Sequence, residues 1–247
     1  MKISKQEVVL VDHMGSDLSV VNAARVSFNK ESGYEEYVWV DPPAGETIES
    51  ATAKGWPVRH VTQHRLKQED VKLINYLAKH NHWTPFGHTS LSFRIKAPIF
   101  VARQLGKHQV GLVWNEVSRR YVDDEPEFYL PTQLRAKAIN VKQGSSEDSI
   151  KEEKMWLKYW EAHFEESLII YQYSLNAGVC PEQARMLLPQ STMTEWIWTG
   201  SLAAFARVVN LRRDQHTQKE TQEIAHKIYA SLRRHFPHST NALLPMG

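Results

Sequence analysis

Three groups of polar and cationic side chains interrupt otherwise apolar stretches of this sequence. The first is Arg103, Gln104, Lys107 and His108, in which Arg103 and Lys107 stand four residues apart, as do Gln104 and His108. Residues at this spacing share one face of a helix, so the two cations would repel each other unless an anion lay close by. The group is therefore either an anion site or a solvated basic face.

The second group is the run 115–121, in which Ser118 precedes Arg119 and Arg120. A hydroxyl beside two guanidinium groups suits a phosphate, because arginine offers a planar fork of donors and serine adds one more. Glu116 cannot bind phosphate, but it can accept a hydrogen bond from a ring N–H or orient a neighbouring arginine. An ion-paired surface loop is the alternative interpretation of this run.

The third group contains six polar residues, of which four are basic or can become so. Arg185 is a lone cation in a stretch rich in Met and Leu, so it should either extend its charge to solvent or pair with an anion. The formal net charge of the chain is only +2. Several arginines in a nearly neutral chain favour a site for a small phosphorylated ligand over a nucleic-acid surface. The six residues are Arg207, Asn210, Arg212, Arg213, Asp214 and His216.

Composition is that of an ordinary globular chain, with 247 residues, 42% hydrophobic and 23% charged. The single cysteine, Cys180, cannot form an internal disulfide, which predicts a reducing, cytoplasmic location and no Cys-rich metal site. No His or Asp lies within five residues of it, so a Cys–His nucleophile is not expected. No stretch approaches 18 apolar residues, so neither a membrane span nor a membrane partner is predicted.

Hydrophobic periodicity predicts a helix-rich α+β chain in one domain over residues 1–247, with a small mixed or antiparallel sheet. Strands are predicted over 8–11 and 89–95. Residues 30–62, rich in Gly, Pro, Glu and Thr, keep no period and are interpreted as an inserted, partly mobile surface segment. Residues 134–152 are the candidate for a mobile link between two lobes. Helices are predicted over 18–28, 70–80, 98–108, 145–176, 181–188, 201–211 and 220–236.

Five ordered blocks resemble the flavin-dependent thymidylate synthases, along nearly the whole chain outside 30–62 and 134–152. They are MGSDLSVVNAARVSF, HWTPFGHTSLSFRIKAPIFVARQ, NEVSRRY, EQARMLLP and NLRRDQHTQKE. The resemblance implies an α+β fold and a homotetramer whose active sites are shared between subunits. It also implies methylation of dUMP to dTMP, with methylenetetrahydrofolate as one-carbon donor and FAD reduced by NADPH. No nucleic-acid partner and no metal are expected.

The family signature is Arg-His-Arg, seven residues, then Ser. The matching stretch here is Lys107-His108-Gln109 with eight residues before Ser118, so two signature residues differ and one residue is inserted within 110–114. The resemblance assigns this triplet to the flavin, whose site we therefore expect to be rebuilt. We hypothesise that Arg207 supplies the cation that the triplet has lost. The residues assigned to FAD are His82, Thr84, Lys107, His108, Gln109, Glu116, Ser201 and Arg207.

The nucleotide positions match the family better than the flavin positions do. Because this family uses no cysteine nucleophile, the resemblance gives Arg212 the catalytic role of favouring the ionised form of the pyrimidine. Two alternatives remain open: a flavin- or folate-dependent dUMP hydroxymethylase, and a non-catalytic homologue that binds nucleotide or RNA. The residues assigned to dUMP are Gln104, Lys107, Glu116, Val117, Ser118, Arg119, Arg120, Arg185 and Arg212.

Overall fold

A computed structural model describes residues 1–122, 124–139 and 144–245 of the chain. Its helices and small antiparallel sheets confirm the predicted α+β class. The strands are β1 (Lys2–Ile3), β2 (Glu7–Met14), β3 (Glu35–Asp41), β4 (Arg59–Arg65), β5 (Ser90–Pro98), β6 (Leu112–Glu116), β7 (Glu127–Phe128), β8 (Arg135–Lys137), β9 (Ser145–Ser149) and β10 (Met193–Ser201). The helices are α1 (Asp17–Arg25), α2 (Ile48–Ala53), α3 (Gln68–Lys79), α4 (Thr84–Gly87), α5 (Ile99–Leu105), α6 (Glu153–Asn176), α7 (Pro181–Ala184), α8 (Leu202–Arg212), α9 (Lys219–His235) and α10 (Pro237–Leu243).

The main sheet has four antiparallel strands in the order β2-β5-β10-β6. Alternate residues of β5, including Phe93 and Ile95, are fully buried, and Trp196 and Trp198 of β10 are buried on the same period of two. The sequence predicted β2 and β5 but missed β6 and β10. The strand β10 lies in the centre, so it fixes the position of β6 relative to β5.

Helices α8, α9 and α10 pack against the sheet and against each other. Phe205 of α8 contacts both Phe93 and Trp198 edge to face, with ring centroids 5.0 and 5.3 Å apart. Burying one such side chain stabilises a fold by about 1.5–3 kcal/mol. The hydroxyl of Ser201 accepts a hydrogen bond from the N–H of Ala204, so α8 begins directly where β10 ends. Arg212 is the last residue of this helix.

The first helix and the last helix of the described chain are joined at Asp17. Its buried carboxylate accepts hydrogen bonds from the backbone N–H groups of His238 and Ser239, both at 2.9 Å. Asp17 is the first residue of α1, and its two partners lie in the first turn of α10, a helix that the sequence did not predict. These two hydrogen bonds satisfy two of the free backbone N–H donors at the start of α10.

Residues 30–62 contain regular secondary structure, although no hydrophobic period persists in their sequence. They contain most of a two-stranded antiparallel pair, β3 with β4, which encloses α2. We call residues 35–65 the arm. At its base, the fully buried carboxylate of Asp70 accepts hydrogen bonds from Arg25 and from the hydroxyl of Ser32. The pattern was missed because strands exposed on a surface need no continuous apolar alternation.

The helix predicted over 145–176 begins at Glu153 instead. Residues 145–149 form β9, which pairs with β8, so the stretch interpreted as a mobile link contains two paired strands. Glu152 has the left-handed backbone (φ 57°) and separates the hairpin from α6. Residues 140–143 of that prediction lie outside the described residues. The single-domain organisation of 1–247 stays a prediction.

Several predicted helices are shorter than expected. Helix α5 begins at Ile99, because Pro98 is the last residue of β5, and it ends at Leu105. Two predicted helices finish as tight single turns, over Val26–Phe28 and over Arg185–Leu187. None of the helices that the structure describes is long and apolar enough to cross a membrane.

Candidate functional site

Arg212 is held against the loop that follows α5. Its Nε donates a hydrogen bond to Nε2 of His108 at 2.9 Å, and its Nη2 donates to the backbone carbonyl of Gln104 at 3.3 Å. Burial, followed by the charges of Arg212 and Arg207, holds the pKa of His108 below its ordinary value. Burial also lowers the pKa of Arg212. A neutral imidazole that accepts at Nε2 carries its proton on Nδ1, so this contact selects one tautomer.

The side-chain amide of Gln104 is fixed from the first turn of α9. The hydroxyl of Thr221 donates to its Oε1, and its Nε2 donates to Oε1 of Gln218, both at 2.9 Å. Thr221 is fully buried, whereas Gln104 and Gln218 are half-buried. One N–H of Gln104 remains for another partner.

A cleft of about 700 Å³, which we call the arginine cleft, opens beside these residues. Its wall contains Arg135, which forms an ion pair with buried Glu220 at 2.9 Å, and Lys219, which forms one with Glu147. In contrast, Lys107 and Arg212 have no carboxylate within 4.0 Å among the residues that the structure describes. These two cations outnumber the one remaining carboxylate of the described lining, Asp214, which makes the cleft suited to an anion. Its lining includes Gln104, Lys107, Arg135, Arg212, Gln218 and Lys219.

The spacing argument for the first polar group was wrong. Because α5 ends at Leu105, Lys107 and His108 lie in the following turn and do not share the helical face of Arg103 and Gln104. Gln104 instead lines the arginine cleft with Lys107, while Arg103 lines a second cleft with His108.

This second cleft has a volume of about 540 Å³ and extends from His108 and Gln109 to Glu116. Here the Nε1 of Trp114 donates to one oxygen of Glu116 at 3.1 Å, and the hydroxyl of Thr194 donates to the other at 2.6 Å. Trp114 stacks on Trp196, with centroids 4.2 Å apart. Glu116 therefore accepts a hydrogen bond from the ring N–H of Trp114. In the described part of the chain, no arginine forms an ion pair with Glu116.

A third cleft of about 420 Å³ lies on the other side of Glu116 and also contains Val117, Arg119 and Arg185. We call it the strand cleft. Arg119 donates to the carbonyl of Asp124 at 2.6 Å, so this guanidinium closes a turn. Arg185 donates to the carbonyl of Glu182, at 3.3 Å, and its side chain is exposed.

Ser118 and Arg120 form a local pair at the start of the turn that follows β6. The hydroxyl of Ser118 accepts from both the backbone N–H and the Nε of Arg120, at 3.4 Å. The guanidinium of Arg120 lies over the ring of Tyr121, 5.0 Å from its centroid. A hydroxyl and a guanidinium side by side are the donors that the sequence had suggested for phosphate.

Of the residues assigned to the flavin, His82 and Arg207 share a fourth cavity of about 420 Å³, between α3 and α8. Its lining combines Ala203 and Ala206 with the aromatic rings of Trp83 and Phe86. Arg207 also donates from Nη2 to the carbonyl of Val110 at 2.8 Å, within the lengthened signature loop. Arg207 thus links this cavity to the insertion.

The lengthened loop turns at Gly111, whose φ of +75° is a conformation that glycine adopts readily. A Cβ there would lie 3.2 Å from that of Ala204, so the loop packs closely on α8. The hydroxyl of Ser201 caps α8, and Thr84 is the exposed first residue of α4. Neither of them lines the cavity of His82 and Arg207.

Most of the residues assigned to dUMP therefore line two separate clefts of the described chain. Gln104, Lys107 and Arg212 line the arginine cleft, whereas Glu116, Val117, Arg119 and Arg185 line the strand cleft, near Ser118 and Arg120. Large apolar side chains are exposed around the second set. Examples are Val113 at 71%, Tyr121 at 78% and Met186 at 80% exposure.

Four residues that hold the site were missed by sequence reasoning: Trp114, Thr194, Gln218 and Thr221. Gln218 lies inside the last matching block but carried no assigned role. The two threonines gave no sequence signal, since their partners are distant in the chain. No group of three or more His, Cys, Asp or Glu side chains that could hold a metal occurs in the described ranges.

Comparisons with known proteins find relatives over nearly the whole chain. A family model described as thymidylate synthase complementing protein matches residues 9–238. The flavin-dependent thymidylate synthase of Thermosipho melanesiensis is 36% identical over 222 residues, which are 89% of this chain and 82% of the relative. That of Thermotoga neapolitana is 34% identical over 242 residues, 98% of this chain and 92% of the relative.

A solved structure of the UMP/dUMP methylase PolB from Streptomyces cacaoi, bound with 5-Br dUMP, aligns with a TM-score of 0.78 and 27% identity. It covers 100% of this chain and 98% of that chain. The same methylase bound with 5-Br UMP aligns with a TM-score of 0.75 and 26% identity, over 97% and 93% of the two chains. The family match includes every site residue described above.

Proposed function

This chain belongs to the flavin-dependent thymidylate synthase family, and we propose that it is the enzyme that methylates dUMP to dTMP. Reduced flavin, NADPH as its reductant and methylenetetrahydrofolate as one-carbon donor complete the proposed reaction. The observation that carries the proposal is Arg212, which lies in a cleft with Lys107, a second cation outside the ion pairs of the described chain, and is oriented by a neutral His108. The exposed single Cys180 is compatible with a cytoplasmic enzyme that needs no thiol nucleophile.

Arg212 would act on the pyrimidine ring by electrostatics. A guanidinium against the edge of the uracil ring stabilises the ring's ionised form, which makes the reacting carbon electron-rich without a covalent bond to the protein. Ser118, Arg120 and Arg185 offer donors for the phosphate. Gln104 and Glu116 would orient the nucleotide. In the best cases such positioning lowers the activation free energy by about 7–11 kcal/mol.

The cavity of His82 and Arg207 fits part of an FAD molecule. Its apolar and aromatic lining suits a flat ring system, and Arg207 supplies a cation for a diphosphate. His108, Gln109 and Glu116 line the adjoining cleft and would complete the site. When bound, the reduced flavin supplies the hydride that converts the transferred one-carbon unit into a methyl group. Arg207 and the lengthened loop then hold one edge of the cofactor site.

The division of the dUMP residues between two clefts supports a site shared between subunits. If the strand cleft of one protomer faced the arginine cleft of another, Arg185 and Arg212 would contact one nucleotide. The exposed apolar residues Val113, Tyr121 and Met186 would be covered by the same contact. We therefore propose a homotetramer, in which each site uses both clefts.

UMP is a second candidate substrate, because the solved neighbour is named a UMP/dUMP methylase and was observed with 5-Br UMP. The test is mass spectrometry of the nucleotide after the purified protein is incubated with dUMP or UMP, methylenetetrahydrofolate, FAD and NADPH. We expect a gain of one methylene on dUMP, lost when FAD is omitted. Methylation of UMP but not of dUMP would show that UMP is the substrate. A hydroxymethyl product would indicate the hydroxymethylase. Unchanged nucleotides would indicate a non-catalytic homologue.

A further inference from the structure

We infer that Thr221 and Gln218 are positioning residues, which hold the amide of Gln104 in the orientation that binds the nucleotide. The inference rests on the proposed role of Gln104 at the nucleotide. Neither residue is among those that the sequence assigned to substrate or flavin. Gln218 precedes the first residue of α9 and lines the arginine cleft, whereas Thr221 is buried in the first turn of the same helix.

The amide of Gln104 has a partner on each side. Thr221 donates to Oε1 and Gln218 accepts from Nε2, both at 2.9 Å, so the amide plane is fixed by two bonds from one helical turn. The hydroxyl of Thr221 is fully buried, where a hydrogen bond is stronger than in water and a lost one is costly. One N–H of Gln104 and the second lone pair of its Oε1 stay available for a ligand.

The helical turn that carries these residues is itself firmly anchored. Nε2 of Gln222 donates to the carbonyl of Thr217 at 2.6 Å, which ties α9 to the preceding loop. Glu220 is buried in its ion pair with Arg135, and its backbone carbonyl accepts from Gln6 at 3.0 Å. Because this turn is fixed at three points, it can position Gln104 with little further loss of conformational entropy on binding.

Gln104 also connects this turn to Arg212. The backbone carbonyl of Gln104 accepts from Nη2 of Arg212 at 3.3 Å, so the same residue contacts the proposed catalytic guanidinium through its backbone and α9 through its side chain. The two contacts use different atoms, and a change at Thr221 leaves the carbonyl in place. Loss of the Thr221 bond should therefore affect nucleotide affinity more than turnover.

The test compares Thr221→Val, which keeps the shape and removes the hydroxyl, with Thr221→Ser, which keeps the hydroxyl. Gln218→Met removes the second partner of the amide. We expect Thr221→Val and Gln218→Met to raise the Kd and KM for dUMP roughly two- to tenfold, the cost of one hydrogen bond. Tm should fall by only about a few degrees because one buried hydrogen bond is lost, whereas flavin occupancy and kcat should change little. Thr221→Ser should bind like the unmodified protein.

An unchanged Kd in Thr221→Val would overturn the inference. So would parallel losses of Tm, flavin and kcat, because they would show a purely structural role for the hydroxyl. Calorimetric titration with dUMP and with UMP separates this inference from the proposed reaction. A protein that binds dUMP without converting it would refute the reaction alone, whereas one that binds neither nucleotide would refute both.

Discussion

Nε of Arg212 donates a hydrogen bond of 2.9 Å to Nε2 of His108, and this bond joins two residues that the sequence had assigned to different ligands. Arg212 was assigned to the nucleotide and His108 to the flavin. The bond requires a neutral imidazole, since a protonated ring has no acceptor. The orientation of Arg212 is therefore linked to the protonation state of His108.

We expect this linkage to destabilise the protein on the acid side. The pKa of His108 is lowered in the fold from its ordinary value of 6.5, so above that pH the ring is neutral in both states and contributes no pH dependence. As the pH falls below 6.5, the unfolded chain takes up the proton first and the native state loses relative stability. Denaturant titrations from pH 7.5 to 5 should show a steeper loss in the unmodified protein than in His108→Gln. Identical slopes in the two proteins would contradict the assignment.

Arg212→Ala should lose most of its turnover while flavin stays bound. Removing one preorganised donor from a site of developing charge typically costs about 100- to 1,000-fold in kcat. The measurement is kcat with dUMP, together with the visible absorbance of bound flavin. Arg234→Ala, an exposed arginine in the last turn of α9, is the matched control. Turnover like that of the control would refute the catalytic role of Arg212.

Two inactive variants should restore activity to each other if the site is shared. Arg212→Ala damages the arginine cleft and Arg185→Ala damages the strand cleft. Mixed assemblies of the two would contain some sites with both arginines intact, because each protomer supplies one side. Activity should appear after the variants are unfolded and refolded together, but not after each is refolded alone. No recovery, in assemblies shown to be mixed, would indicate a site within one protomer.

Arg207→Ala should empty the flavin site. The substitution removes the cation from the cavity of His82 and also the donor to the carbonyl of Val110. Arg207→Lys separates the two effects, because it keeps the charge without the planar fork. We expect flavin absorbance to be lost in the alanine variant and partly kept in the lysine variant. Full occupancy in Arg207→Ala would exclude a role for this residue in flavin binding.

Thr194→Val should lower kcat/KM for dUMP, because it removes the donor to one oxygen of Glu116. The expected loss is roughly two- to tenfold, that of a single hydrogen bond. Thr199→Val is a matched control on the same strand, since its hydroxyl contacts only Ser92 in the described chain, at 2.8 Å. Equal effects at the two positions would point to a general weakening of β10.

The parts of the fold that the sequence predicted are those with a regular apolar period. Helices α3 and α9 and strand β5 each bury one face, and their patterns show it. Strand β10 was missed although Trp196 and Trp198 alternate, because polar residues and Gly200 interrupt its run. The hairpin of β8 and β9 was missed because its polar residues carry no core pattern.

The candidate site shows the same difference between what the sequence predicted and what it missed. The residues of the matching blocks were found, whereas the partners that hold them were not. Thr221 lies 117 residues from Gln104, and Thr194 lies 78 residues from Glu116. Sheet register decides the second contact, since Trp196 is opposite Glu116 in the pairing of β10 with β6. Such contacts depend on tertiary packing, about which local spacing carries no information.

Two features determine when the chain can finish folding during synthesis. One is the position of β10 between β5 and β6, and the other is the pair of hydrogen bonds that Asp17 accepts from His238 and Ser239. While residues 1–192 leave the ribosome, β2 and β5 can pair, but one edge of β5 stays open until β10 has been made. The carboxylate of Asp17 stays hydrated until α10 follows. The core therefore closes only after translation has passed residue 239, and before that a nascent chain exposes an unpaired strand edge that a chaperone can shield.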